Sequence, residues 1–428
     1  MATGDGIPGP AADDGVAVGR NSGAAVGGVG VFAAMVGLAA ILFSARCLTI
    51  ADNARFSSFW SVLFLAIGVT SGLTVELTRV TASNRRPVAS SDEKGLRVRV
   101  LLVTVMVGTA VVLGGSMPAW RLAVPGFAGA QSWLMGLALV IGITGFAGQC
   151  VLIGSLAGLG HWRVYAVVVA MESGVRLVLV SLSAVFQAGL APFMFAAILG
   201  EYAWIVVVAV SRTARQALAQ RVDTTALALA RRVGLAMLGL AASTVLLVGF
   251  PWLIGLTTDR AVYLAAAPLL VAVSLTRAPL MVPISSLYSV AISYFASRHD
   301  PPARVIRAML LAVALVGLVG VALAWAVGPW LLGLVRAEYV LPGSTLAGLT
   351  AGAACIAMIT VSGMLCQSQD RYGSHISGWT VAVVVSVVIL LIPMGLVVRV
   401  IWALVAGPLC GLVVHLFLLN RQQSAPAS

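Results

Sequence analysis

Five ionisable side chains stand inside stretches otherwise built of Ala, Val, Leu, Ile and Gly. Glu172 and Arg176 lie four residues apart in "MESGVRLV", one helical turn, so on a helix they share a face and can pair. Glu201 stands in "LGEYAWIV", and Glu76 in "LTVELTRV" three residues before Arg79. Arg277 stands in "SLTRAPLMVPISS", followed closely by Pro279 and Pro283. Such groups offer two chemistries. A carboxylate in a low-dielectric interior can take a proton or a small cation, and a guanidinium can hold a phosphate through a fork of parallel hydrogen bonds. A charge at the centre of a bilayer costs about 2.5–3.5 kcal/mol on insertion scales, so these groups need a partner or a water-filled cavity. For Glu172 and Arg176 a self-neutralising pair that packs the helix and a functional pair both fit, and Glu201 at similar depth can complete a triad.

The elements that carry these residues are set by composition. The 428-residue chain is 60% hydrophobic and 9% charged, with a mean hydropathy of +1.05. A soluble domain is about 45–50% apolar and about 25% charged. Apolar runs near the ~20 residues that an α-helix needs to cross a bilayer recur throughout. The fold class is therefore an all-α polytopic membrane protein with about 12 transmembrane helices.

The expected spans are 24–46, 57–79, 98–117, 130–157, 161–184 and 190–211, then 227–253, 262–296, 304–327, 343–367, 374–395 and 398–420. With the N-terminus in the cytoplasm, the inner connections hold 18 Lys and Arg, the outer loops hold six, and Arg176 and Arg277 lie within spans. This threefold bias predicts both termini inside, and it accounts for the net charge of +12 without a nucleic-acid partner. Residues 1–23 form a tail without the basic start of a signal peptide. The expected domains are lobes of six helices at 24–211 and 227–420, a cytoplasmic linker at 212–226, and a C-terminal tail at 421–428. A weak echo supports two parallel halves: "GSLAGLGHWRVY" from Gly154 and "GMLCQSQDRYGS" from Gly363 lie about half the chain apart.

Charge accounting singles out Arg277. Every acid of the C-terminal half (Asp259, Asp300, Glu338, Asp370) falls in a loop by this topology. Arg277 lies about 15 residues from the outer end of its expected span, roughly 22 Å at 1.5 Å per residue and beyond the reach of a snorkelling side chain. Its counter-charge is expected from the other half or from an anionic ligand. Pro279 and Pro283 each remove a backbone donor, a break that is tolerated where a helix lines a cavity, so they are read as hinge positions.

Other chemistries are excluded. The five cysteines are scattered singly and the four histidines show no ligand spacing, so neither a metal site nor a cofactor is expected. No Walker motif is present. The outer loops are short, which argues against a membrane glycosyltransferase.

The passages "ADNARFSSFWSVLFLAIGVTSGLTVELTRVTA" and "GSLAGLGHWRVYAVVVAMESGVRLVL", together with the proline-bearing eighth span, resemble the multidrug/oligosaccharidyl-lipid/polysaccharide (MOP) exporter superfamily. Within it the chain looks most like the polysaccharide-biosynthesis flippases, over about residues 24 to 420. The resemblance implies two lobes around a central cavity that opens alternately to each side, in the cytoplasmic membrane, with no enzymatic activity. It implies a polyprenyl-(pyro)phosphate-linked saccharide as substrate, with membrane lipids and other cell-envelope polysaccharide proteins as partners. Arg277 and Arg176 would hold the phosphate, and Glu201, Glu172 and Glu76 would serve as ion-coupling groups or charge partners. The alternative in the same fold is an H+ or Na+ coupled multidrug or metabolite antiporter.

Overall fold

The computed structural model describes residues 20–83, 96–116, 126–127, 129–222, 224–280, 303–369 and 371–423. The N-terminal half comprises α1 (Arg20–Cys47), α2 (Ile50–Ser83), α3 (Val98–Gly115), α4 (Ala130–Gly158), α5 (Trp162–Val185) and α6 (Leu190–Val210). A short amphipathic helix, α7 (Arg212–Ala219), leads to the C-terminal half. That half comprises α8 (Ala226–Leu247), two short helices α9 (Phe250–Leu256) and α10 (Arg260–Ala265), then α11 (Ala267–Leu280), α12 (Ala303–Val335), α13 (Gly343–Ser368), α14 (Tyr372–Leu391) and α15 (Leu396–Gln423). Eleven of these helices are long and apolar enough to cross a membrane, and α11 is a shorter apolar helix. The expected eighth span, 262–296, thus begins at Ala267, and its second half lies outside the described residues. Helices dominate because a backbone in hydrocarbon must satisfy its polar groups internally. The expected linker is not featureless: besides α7 it carries strand β2 (Arg221–Val222), paired antiparallel with β1 (Leu96–Arg97) just before α3.

Side-chain bonds between distant loops fix which helix ends share a face. Arg46 at the end of α1 donates to Leu334 O near the end of α12 at 3.1 Å, and Arg336 donates back to Leu48 O in the α1–α2 turn. At the other face, Arg371 in the α13–α14 turn donates to Leu419 O near the end of α15 at 3.2 Å. Helix α12 therefore runs toward the α1–α2 turn. Both ends of the helical bundle lie on one face, here the termini face.

The halves repeat with a register of 210 residues. Leu159 N bonds Ser155 O as Gln369 N bonds Leu365 O, and His161 N bonds Leu156 O as Arg371 N bonds Cys366 O, the latter pair both at 2.8 Å. His161 and Arg371 share an unusual backbone conformation, φ/ψ −83°/55° and −90°/56°. The echo seen in the sequence is real, but its letter-by-letter match was offset: Tyr165 pairs with His375, not with Tyr372. The equivalent helices α4 and α13 are the most buried spans of their halves, each forming the centre of a lobe. The sixth helices match too, at an offset shortened to 207. A Cβ at Gly200 would sit 2.7 Å from Glu172 O, and one at Gly407 would sit 2.7 Å from Ala382 O, the position equivalent to Glu172. Only glycine permits these approaches.

The lobes are joined at the face opposite the termini by a shared core that includes Ala45, Ala54, Phe250, Ile254, Tyr263, Leu332 and Tyr339. Tyr263 also donates to Ala54 O at 3.4 Å. A second seam runs between α2 and α8, where a Cβ on Gly72 would lie 2.6 Å from Met237 N. Outward, α12 exposes Leu311, Leu315, Leu318, Val319, Leu323, Trp325 and Trp330. An apolar belt of this extent fits hydrocarbon rather than water.

Candidate functional site

The N-terminal lobe encloses a charged cluster. Glu172 and Arg176 extend from one face of α5, and Arg176 Nη2 lies 2.6 Å from Glu172 Oε1 and 2.5 Å from Glu201 Oε1 on α6. Arg176 Nε donates to Ala197 O at 3.2 Å. Helix α6 tightens into a 3-10 turn at Gly200–Tyr202 just beyond that carbonyl. Gln149 Nε2 on α4 donates to Glu172 Oε2 at 2.8 Å, and the guanidinium lies over the Phe64 ring at 5.2 Å. Arg176 is 3% exposed and Glu201 fully enclosed.

With both acids ionised the cluster carries one net negative charge. Glu201 Oε2 and Gln149 Oε1 are buried without a hydrogen-bond partner among the described residues. Two acceptor oxygens and a surplus negative charge suit a proton or a small cation. The expected triad is therefore assembled. The Nε and Nη2 of Arg176 are committed to two carboxylates and a carbonyl, so a phosphate at this residue would compete with Glu172, Glu201 and Ala197 O. The other lobe reaches the same helical arrangement without such a cluster. The equivalents of Glu172 and Arg176 are Ala382 and Ser386, and Pro408 follows Gly407 where Glu201 follows Gly200.

Arg277 occupies the C-terminal lobe. Its Nη1 donates to Leu246 O at 2.9 Å and Leu247 O at 3.2 Å, and its guanidinium lies 5.1 Å from the centre of the Phe250 ring. The cause is Pro251. Proline has no N–H to give the carbonyl four residues earlier and its ring crowds that carbonyl, which here belongs to Leu247. Helix α8 accordingly ends at Leu247, and Gly249 N turns back to Thr244 O. The orphaned carbonyls sit at the negative end of a helix, where a cation is favoured. The broken helix thus brings neutral backbone acceptors to Arg277, and among the described residues no carboxylate pairs with it. Its other edge remains free: Nε and Nη2 are buried with no partner among the described residues.

Glu76 lies apart from both clusters. Its two oxygens accept from Arg79 Nε and Nη2, and Arg232 Nη1 on α8 lies 4.0 Å away. It forms part of the α2–α8 seam toward the termini face. Pro279 lies in the last turn of α11, and Pro283 falls outside the described residues.

Sequence reasoning missed Gln149, although an amide well inside an apolar 29-residue helix was a readable signal. It also missed Phe64 and the Ala197 carbonyl, which no residue pattern announces. Among the described residues, no group of three or more His, Cys, Asp or Glu could hold a metal ion.

No family model matches the chain. It is 35% identical over 410 residues to the uncharacterized protein Rv1510 of Mycobacterium tuberculosis (strain H37Rv), covering 95% of this chain and 93% of that one. It is 33% identical over 410 residues to the uncharacterized protein Rv3630 of the same strain, covering 95% and 94%. Among solved structures, it superposes on an inward-facing multidrug resistance MATE family transporter of the MOP superfamily with a TM-score of 0.70 at 14% identity, over 92% of this chain and 96% of that chain. It superposes on the lipid II flippase MurJ in an inward closed conformation with a TM-score of 0.68 at 11% identity, over 92% and 87%. At such identities the likeness is one of fold, and the fold is that of the MOP transporters.

Proposed function

Since the chain belongs to the family of the mycobacterial proteins Rv1510 and Rv3630 and has the two-lobed MOP fold, we propose that it is a flippase. Its cargo is a polyprenyl-(pyro)phosphate-linked saccharide, carried across the cytoplasmic membrane by alternating access for cell-envelope polysaccharide synthesis. Both termini face the cytoplasm in this reading, as the threefold excess of Lys and Arg on that side supports.

The observation that carries the reading is the free edge of Arg277. Nε and Nη2 form the side-on fork of a guanidinium, which takes two oxygens of a phosphate in parallel bonds. Nη1, anchored on Leu246 O and Leu247 O, holds that fork in place. A buried cation with two idle donors is costly unless something negative visits it. An anionic headgroup meets the requirement, whereas a cationic drug does not.

A second reading draws on the N-terminal lobe. An antiporter of the same fold would bind H+ or Na+ at Glu201, whose Oε2 has no partner among the described residues, and move a small anionic solute past Arg277. The deciding experiment is depletion in the host with an assay of which leaflet holds lipid-linked saccharide. Accumulation of one species on the cytoplasmic side supports the flippase and identifies the cargo by mass. No accumulation, together with altered sensitivity to small molecules, supports the antiporter.

A further inference from the structure

The C-terminal lobe holds a second buried polar cluster that neither reading uses. His415 on α15 is fully enclosed, and His375 on α14 is nearly so. The rings lie 6.0 Å apart and almost parallel, at 16°. His415 Nε2 is 3.1 Å from the His375 carbonyl oxygen. A carbonyl only accepts, so Nε2 carries a proton. His415 Nδ1 is 2.8 Å from Ser362 Oγ on α13, and Ser362 Oγ is also 2.9 Å from Ile359 O. A hydroxyl has one hydrogen and two lone pairs, so it can serve only one of these neighbours as donor at a time.

That arithmetic leaves two states, each with its hydrogen bonds made. In the neutral state Ser362 donates to Nδ1. In the protonated state Nδ1–H donates to Ser362 Oγ, and the hydroxyl hydrogen turns to Ile359 O. We propose that His415, with Ser362 as its rotating partner, is a proton-binding site of the C-terminal lobe. One proton from water forms the Nδ1–H bond, and no heavy atom need move.

The site is built rather than incidental. A Cβ on Gly378 would overlap the His415 ring, and one on Gly363 would lie 3.0 Å from His375 Nδ1, so two glycines hollow out room for two imidazoles. The fold does not demand them, since the register of 210 places Leu152 and Tyr165 at the positions of Ser362 and His375. The His375 ring meets a polar side chain toward the termini face. Gln367 Nε2, half-buried on α13, is 3.1 Å from His375 Nε2.

The groups around the pair explain why the proton matters to conformation. From α13 come Ser362, Gln367 and the buried Cys366, and from the α13–α14 turn comes Arg371, anchored on Leu419 O. Among the described residues no carboxylate pairs with either ring. A proton on His415 therefore puts an uncompensated charge between α13, α14 and α15, and it favours any arrangement that lets water or a counter-charge reach the rings.

The test uses the full-length protein in lipid nanodiscs with 15N-labelled histidine. The chain has four histidines, so His375→Gln and His415→Gln assign the resonances. As the pH falls from about 8, the His415 Nδ1 signal is expected to pass from an unprotonated to a protonated nitrogen before helix content is lost. Ser362→Ala, which removes the acceptor for the new N–H, should weaken proton binding about tenfold and leave Nε2–H unchanged. A His415 that keeps the neutral Nε2–H form at the lowest pH at which helix content is intact overturns the proposal. So does a titration indifferent to Ser362→Ala. Neither outcome depends on the cargo.

Discussion

Arg277 Nη1 lies 2.9 Å from the carbonyl oxygen of Leu246, a bond between α11 and the end of α8 that a single proline makes possible. Pro251 denies Leu247 O its helical donor, α8 stops, and the guanidinium takes both loose carbonyls. The same bond decides what the rest of the side chain can do. With Nη1 fixed to backbone, the Nε–Nη2 edge is held in one orientation rather than swept through many rotamers, and a preorganised donor pair loses less entropy on binding an anion.

Pro251→Ala tests that chain of causes. Alanine restores an N–H four residues after Leu247, so α8 should run on into α9 and the amides of residues 248–256 should exchange with deuterium more slowly. The regained backbone bond is worth about 1 kcal/mol. Arg277 loses an anchor in return, so transport should fall while the protein gains thermal stability. Unchanged exchange would show that something other than the proline breaks the helix.

Arg176→Ala should be severe. It leaves Glu172 and Glu201 facing each other in the lobe interior without a counter-charge, and removing one partner of a buried pair costs about 3–5 kcal/mol. Folded yield in detergent should drop sharply. Glu201→Gln should restore much of it when added to Arg176→Ala, because one acid is then gone. If cation coupling runs through this cluster, Glu201→Gln alone should fold normally and abolish the dependence of transport on pH or Na+. Equal yield of Arg176→Ala and wild type would show that the cluster is not held as an ion network.

Parts of this were readable before any coordinates. The apolar runs gave the spans, and the spacing of Glu172 and Arg176 placed them on one face, because helical periodicity is local information. Glu201 joining them required α5 and α6 to pack at one register, which charge depth alone suggested. The backbone acceptors of Arg277 were not legible, because they exist only where α8 breaks; their one signal was Pro251, four residues after Leu247. The histidine pair was invisible, since His375 and His415 are 40 residues apart and meet only through α14–α15 packing.

Gly72→Val addresses the seam between the lobes. A Cβ there would sit 2.6 Å from Met237 N, against backbone that cannot turn away as a side chain could. Forcing α2 and α8 apart should cost about 1–3 kcal/mol and loosen the Glu76–Arg232 contact, read as greater labelling of a cysteine placed at Ala236. Gly72→Ala should show the same change in smaller measure. Wild-type stability and labelling in Gly72→Val would mean that the lobes do not meet along this seam in the membrane.

Arg277 itself calls for a pair of substitutions, because either alone is ambiguous. Arg277→Ala removes the proposed phosphate ligand but also strips the partner from Leu246 O and Leu247 O, at about 1–3 kcal/mol for buried acceptors left unpaired. A loss of transport could then reflect a damaged α8–α11 contact. Arg277→Lys keeps a cation and donors that can still reach one or both carbonyls, but an ammonium offers no side-on fork. The expectation is that Arg277→Lys inserts and melts near wild type yet moves cargo about tenfold more slowly, roughly the worth of one charge-assisted bond, while Arg277→Ala moves none. The leaflet assay checks both, with thermal melting run beside it. Wild-type transport by Arg277→Lys would remove the fork from the mechanism and leave a point charge. Wild-type transport by Arg277→Ala would remove the phosphate role altogether.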